Sequence, residues 1–261
     1  MLLYVVSLLV VDTTPFLLTP ASSVSRSPAL RQAVYNDMED LEKARSSFEA
    51  LMKQHGSALA PDQSTSTIPV LTSASRHRKR LEIDLLESLA DSDDAIEELV
   101  HLWMHENTAD DAMVLTAMET QCSDGLIEEE KTLRSMVLEN PHWVEPRVRL
   151  ALLLFYKGQT EQSYQVAIEA LRLKPWHFEI CHVFVLLSLR QQDMGQALYW
   201  ARRGLPSLYG KTDSDSVSRR RKGWVQRALQ AAHAKLEEAE VATEELRAKQ
   251  AQPETSSEVW Q

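Results

Sequence analysis

From Leu81 to about residue 205 the sequence keeps a helical period, with apolar residues returning every three or four positions and breaks of only a few residues between periods. Leu81, Leu85 and Leu89 make one stripe, and Ile96, Leu99, Val100 and Trp103 make the next. Between them the cluster Asp91-Ser92-Asp93-Asp94 supplies an N-cap and acid for a first helical turn. Further helices are predicted at about 110–121, 125–139, 144–156, 160–173, 178–190 and 194–205, and no stretch between them alternates with the period of a strand. Turns this short force neighbouring helices antiparallel, so the predicted fold class is all-α, a stack of helical hairpins.

Composition agrees and narrows the chemistry. The 261 residues include 44% hydrophobic side chains, enough for a sizeable core, and only 7 Gly and 10 Pro to break helices. The glycines are scattered singly, which excludes a Gly-rich phosphate loop or a dinucleotide fingerprint. Cys122 and Cys181 are too few for a disulfide framework and read as reduced core residues. The net charge of −10 argues against a general nucleic-acid binder. That charge is unevenly placed: residues 81–141 hold 17 acidic and two basic side chains, residues 142–222 seven acidic and 13 basic. An acidic pole and a basic pole imply salt-sensitive self-association, or contact with a partner of opposite charge.

The amino terminus reads as a leader. Leu2–Val11 is apolar but for Ser7, and is far shorter than the roughly 20 residues a spanning helix needs. Thr13–Asn36 is rich in Ser and Thr, carries Arg26 and Arg31, and contains no acid before Asp37, the composition of an organelle import segment. The expected address is a plastid ahead of a mitochondrion, with secretion as the alternative. Met38, Leu41, Phe48, Leu51 and Met52 mark an amphipathic helix at 37–55, and the Ser/Thr/Pro stretch after it reads as a linker. The basic run Arg76–Arg80 is a solvated helix start.

Pro141 and Pro175 stand 34 residues apart, each closing a predicted helix and each followed by a His/Trp pair, His142-Trp143 and Trp176-His177. Aligned on these prolines, the unit 144–177 has Leu150 and Ala151 at the large and small packing positions of its first helix, Gly158 at the turn, and Ala170 at the small position of its second helix. In these features the chain resembles the tetratricopeptide repeat family, whose unit is a 34-residue helix–turn–helix. Glu139–Pro146, Leu171–Phe178 and the helix Glu98–Trp103 are similar to a tetratricopeptide group of bacteria and of plant and algal organelles. Arg147, Leu154, Ser163 and Ala167 depart from the motif, and the unit 178–209 keeps Ala197 and Gly204 but has Pro206 early. The implied fold is an α-solenoid with a C-terminal capping helix. The chain divides into a leader at 1–36, an amphipathic helix at 37–55 and a flexible linker at 56–80. The repeat domain spans 81–209, with its clearest units at 110–143, 144–177 and 178–209. A hinge at 210–221 containing Arg219, Arg220 and Arg221, a C-terminal helix at 222–250 and a disordered tail at 251–261 complete it.

The resemblance implies a concave groove lined by the first helix of each unit. The lining residues would be Glu145, Val148, Arg149, Leu152, Phe155 and Tyr156, then Glu179, His182, Val183, Leu186, Leu189 and Arg190. The family variant that grips a C-terminal carboxylate uses Lys and Asn where Val148 and Leu152 stand, so an apolar groove with a cationic border, suited to an amphipathic helix with acid on its flank, is expected instead. The long C-terminal helix carries Val225, Ala228, Ala232, Leu236 and Ala239 on one face and is expected to cap the solenoid, with folding into the groove or pairing with another chain as alternatives. His101 and His105 have a metal-ligand spacing, but no Glu directly follows the first His and Glu106 follows the second, and they read as surface or packing residues. No catalytic constellation, cofactor motif or metal site is evident. The expected function is therefore a non-catalytic adaptor binding a protein or peptide, with no stable membrane insertion and no nucleic acid. An organelle RNA-binding helical repeat is the alternative, and it would need a basic, polar groove.

Overall fold

The computed structural model describes Ser46 and residues 71–120, 126–208 and 214–251. The predicted leader, most of the 37–55 helix and of the linker, Cys122 and the tail lie outside the described residues. The described chain forms α1 (Ser73–Ser88), α2 (Ala95–Met104), α3 (Ala109–Thr120), α4 (Leu126–Glu139), α5 (Glu145–Tyr156), α6 (Thr160–Leu173), α7 (Phe178–Arg190), α8 (Met194–Arg203) and α9 (Ser214–Ala251), with no strand among these residues. The fold is all-α, as expected. No described helix is long and apolar enough to cross a membrane.

Local chemistry sets the helix ends. Thr72 caps α1 by accepting the Ser75 N–H at 3.1 Å, so the helix begins at residue 73, inside the stretch predicted as linker. Thr108 does the same for α3, accepting the Asp111 N–H at 3.1 Å while its hydroxyl donates to Asp111 Oδ2. Asp94 caps α2 without a side-chain bond; Ser92 Oγ accepts its N–H instead. In α1 the predicted stripe holds at Leu85 and Leu89 but not at Leu81, and Glu82 and Leu86 join the buried face. Leu81 is 41% exposed, whereas Glu82, Leu85, Leu86 and Leu89 point inward.

The turns repeat at a fixed interval. After α5, Gly158 N donates to Phe155 O and Gln159 N to Leu154 O; 34 residues later Gln192 N donates to Leu189 O and Asp193 N to Ser188 O. The turns before α5 and α7 repeat likewise: Asn140 N to Met136 O and Trp143 N to Asn140 O recur as Lys174 N to Ala170 O and His177 N to Lys174 O. Gly158 has φ 77° and Gln192 φ 59°, so Gln192 holds a left-handed conformation that glycine adopts without strain, at a cost of about 1 kcal/mol.

Between these turns α5 packs on α6 and α7 on α8, while α7 also lies against both α5 and α6. Their shared core includes Val148, Ala151, Ile168, Ala170, Phe184 and Trp200, with Phe184 and Trp200 stacked 4.2 Å apart. Small residues permit this closeness. Ala151 and Ala170 are fully buried, and Ser163 fits where an alanine would because its Oγ–H donates to Ala151 O at 2.6 Å. A second core joins Met104, Leu115, Leu133, Met136 and Trp143 to Leu150, Leu153 and Leu154 of α5.

The C-terminal helix runs antiparallel to α1. Thr243 Oγ1 accepts the Leu71 N–H at 2.8 Å, Arg76 pairs with Glu240 at 3.1 Å, and at the other end Arg221 reaches the α1–α2 connection. The face expected to cap or pair elsewhere is used here: Val225, Ala228 and Ala232 pack with Leu86, Leu89, Leu99 and Trp103, and Trp224 meets Phe178. Residues 214–221, predicted as hinge, are helical, because Arg221 is fully buried rather than solvated. Its guanidinium donates to the carbonyls of Leu89 at 2.6 Å, Pro206 at 2.5 Å and Ser92 at 3.2 Å, and pairs with Asp93 at 2.7 Å. It thereby satisfies carbonyls left over at the end of α1.

Adjacent arginines should therefore differ sharply. Arg221→Ala is expected to lower stability by about 2–4 kcal/mol, since it orphans buried acceptors, and the exposed Arg220→Ala to change it by less than about 0.5 kcal/mol, both read by urea unfolding. Equal effects would contradict the clamp.

Candidate functional site

The groove residues divide by depth. At the start of α5, Glu145, Val148 and Arg149 are turned inward; at its end Tyr156 is 62% exposed. Arg149 pairs with Glu145 at 3.2 Å and also reaches Leu115 O at 3.4 Å, so it does not border an open groove. Val148, Phe155 and Val183 belong to the α5–α8 core, with Leu186 packed against it. Arg190 lies 3.8 Å above the Phe155 ring and donates to Phe155 O. What faces solvent is Tyr156, His182, Leu189 and part of Arg190, with Leu152, Glu179 and Leu186 half-buried beside them. Five of the twelve predicted lining residues are thus structural: α2 and α3 cover Glu145, Val148 and Arg149 at the start of α5, and Phe155 and Val183 are buried in the core of α5–α8.

That cover is fastened by a polar cluster at the meeting of α1, α2 and the α6–α7 turn. Glu82 Oε1 accepts the indole N–H of Trp103 at 2.6 Å and of Trp176 at 2.8 Å, and lies 3.1 Å from Lys174 Nζ. Lys174 also bonds Glu106 and sits 5.2 Å above the Trp103 ring. Burial opposes the charged form of Glu82, but the Lys174 ammonium and the two indoles outweigh it and hold the carboxyl below its ordinary value. Glu106 moves the other way: burial and the Glu82 charge raise it despite Lys174. Burial works against the Lys174 charge, and the two carboxylates more than restore it.

His177 continues the cluster. Its ring is fully buried, stacks on Trp103 at 4.1 Å, and places Nε2 3.2 Å from Glu145 Oε2. Burial pushes the imidazole below its ordinary value of 6.5, and burial of Glu145 is outweighed by His177 and Arg149, which lower its carboxyl. A neutral His177 therefore donates from Nε2 to an ionised Glu145, leaving Nδ1 as a buried acceptor without a partner among the described residues.

Two chemistries can be weighed on this geometry. Glu145, His177 and Glu179 could each offer a ligand atom within 4.8 Å of the others. A cation there would sit beside the Arg149 guanidinium and near the Lys174 ammonium, both of which already lower the Glu145 carboxyl, so the donor set suits an internal ion network better than a metal. For acid–base work Glu82 would need a lone pair facing substrate, yet it is 5% exposed and one oxygen takes three donors. His101 of α2 and His105, the residue that follows it, stack on each other at 4.0 Å. Cys181 is a buried free thiol, pushed up to about 12 by burial.

Sequence reasoning missed Glu82, Glu106 and Lys174. One signal was present: Glu82, Leu85, Leu86 and Leu89 share the helical spacing of a buried stripe. The pairing joins Lys174 to Glu106, 68 positions away, while Glu82 also takes the Trp176 indole from 94 positions away, and neither link had a local signature. Compared with family models, curated proteins and solved structures, the chain matches none.

The pH dependence follows from His177. Because its folded value is lowered, the unfolded chain binds more protons below pH 6.5, so its contribution is complete above 6.5 and is lost as pH falls. Urea midpoints are expected to be flat from pH 7 to 8 and to fall below 6.5, with one group contributing at most about 1.4 kcal/mol per pH unit. His177→Gln, which keeps a donor for Glu145, should make the fall below pH 6.5 shallower whatever its absolute stability, the remainder including His182, whose imidazole burial also lowers. An unchanged slope would show that His177 is not the titrating group.

Proposed function

We propose that this chain is a non-catalytic protein–protein adaptor of tetratricopeptide-like build, acting inside an organelle, that receives a partner segment on the face shared by α5 and α7. The observation that carries this reading is the 34-residue recurrence of turn hydrogen bonds on either side of α5 and α7, together with the mutual packing of these two helices. That recurrence makes the two first helices of successive hairpins neighbours, the arrangement from which the family builds its ligand surface.

The docking surface is smaller than the twelve-residue groove. Tyr156 and Leu189 are its exposed apolar elements, Leu152 and Leu186 its half-buried base, and His182 and Arg190 its polar border. This composition suits an amphipathic helix carrying acid beside its apolar stripe. A large ring and a leucine exposed on one face are the residue types that anchor interfaces. Basic, polar residues that would track an RNA backbone do not dominate there, which favours a protein partner. The organelle address rests on the composition of residues 1–36.

The test is capture of partners from the source organelle by the full chain and by a Tyr156→Asp/Leu189→Asp variant, followed by affinity measurement with the purified partner. Both side chains are exposed, so the variant should keep its helical circular dichroism while binding at least about thirtyfold more weakly. Equal capture by both proteins would place recognition elsewhere.

A further inference from the structure

We propose that residues 37–55 of this same chain dock as an amphipathic helix on the α5–α7 face and must be displaced before a partner binds there. The inference rests on the reading of that face as a docking surface, and adds its regulation. Apart from Ser46, residues 37–55 lie outside the described residues, so their chemistry is read from the sequence.

Three observations select this occupant. First, the chemistry of the two surfaces matches. Met38, Leu41, Phe48 and Met52 share one helical stripe, and Glu42 and Glu49 stand two turns apart on one flank of it. On α7 the polar border of the face, His182 and Arg190, is also two turns long, about 12 Å against about 10 Å for the two glutamates. Acid beside an apolar stripe thus meets an imidazole and a guanidinium beside Tyr156 and Leu189. Ser46 falls well off the stripe, and it is helical and exposed, as the polar side of such a helix requires. Second, the segment reaches. Leu71 stands eleven residues before Glu82, about 16 Å of helix, and Glu82 accepts the Trp176 indole N–H. Leu189 stands thirteen residues beyond Trp176, about 20 Å. The tether 56–70 extends to about 50 Å, which exceeds that route. Third, the other amphipathic segment outside the repeat units is committed elsewhere: α9 spends Val225, Ala228 and Ala232 on α1 and α2. The face also suits a tethered occupant. Its exposed large apolar side chains are Tyr156 and Leu189 alone among the described residues, and a tether offsets so small an area by holding the segment at a local concentration of order mM.

Peptide-resolved alkylation of the full chain tests the contact. Leu189→Cys and Tyr156→Cys, made separately, report on the face, and Met113→Cys, 64% exposed on α3, reports on the remainder. Adding Leu41→Asp/Phe48→Asp should speed alkylation at positions 189 and 156 at least about tenfold and leave position 113 unchanged, whereas Ser46→Asp should change none of them. In the otherwise wild-type chain, Leu41→Asp/Phe48→Asp should tighten binding of the purified partner. Circular dichroism of each variant guards against unfolding. Unchanged rates at both face positions, equal acceleration at position 113, or unchanged partner affinity would overturn the proposal. So would protection that fades on dilution, since it assigns the occupant to a second copy. The two readings fail separately. Alkylation freed as expected, with partner capture indifferent to Tyr156→Asp/Leu189→Asp, defeats the adaptor and keeps the contact; the opposite pair of results defeats the contact alone.

Discussion

One ammonium group joins the first described helices of this protein to its middle. Lys174 leaves the α6–α7 turn and lies between Glu82 of α1 and Glu106 of the α2–α3 connection, with Trp103 beneath it. A buried ion cluster of this kind adds little stability relative to apolar residues of the same shape, but losing one member leaves uncompensated charge in a low-dielectric interior. Its effect is therefore on arrangement. Once Lys174 is placed, α1 and α2 have one docking geometry against the hairpins, and α9 follows because it lies antiparallel on α1.

The hairpins themselves were legible in the sequence. Pro141 and Pro175 set the interval, and the backbone bonds recur at the same interval even where the residues differ, as with Gly158 and Gln192. The backbone geometry thus tolerates a residue that the motif would not predict. Less legible was everything that depends on distant partners. The stripe Leu81, Leu85, Leu89 omitted the acidic position beside it, because a glutamate is read as solvated unless its counter-charge is known. Arg221 was assigned to a hinge on the same reasoning, although three of its acceptors lie on residues 89, 92 and 206.

The uneven charge also takes on another meaning. Lys174, Arg221 and Lys222 of the basic stretch meet Glu82, Glu106, Asp93 and Asp91 of the acidic one inside a single chain. Part of the polarity seen in the sequence is therefore intramolecular. The predicted groove is also narrower than its twelve residues: α2 and α3 occupy the start of α5, and of the predicted lining Tyr156, His182, Leu189 and Arg190 face solvent.

Residue-resolved hydrogen exchange of Lys174→Met against the wild-type chain tests this account most directly. With the ammonium gone, Glu82 and Glu106 face each other uncompensated, and α1, α2 and α9 should lose about 3–5 kcal/mol of protection while α5–α8 lose much less. Equal loss in all helices, or no loss in α1 and α9, would contradict the claim that this group fastens α1, α2 and α9 to the hairpins α5–α8.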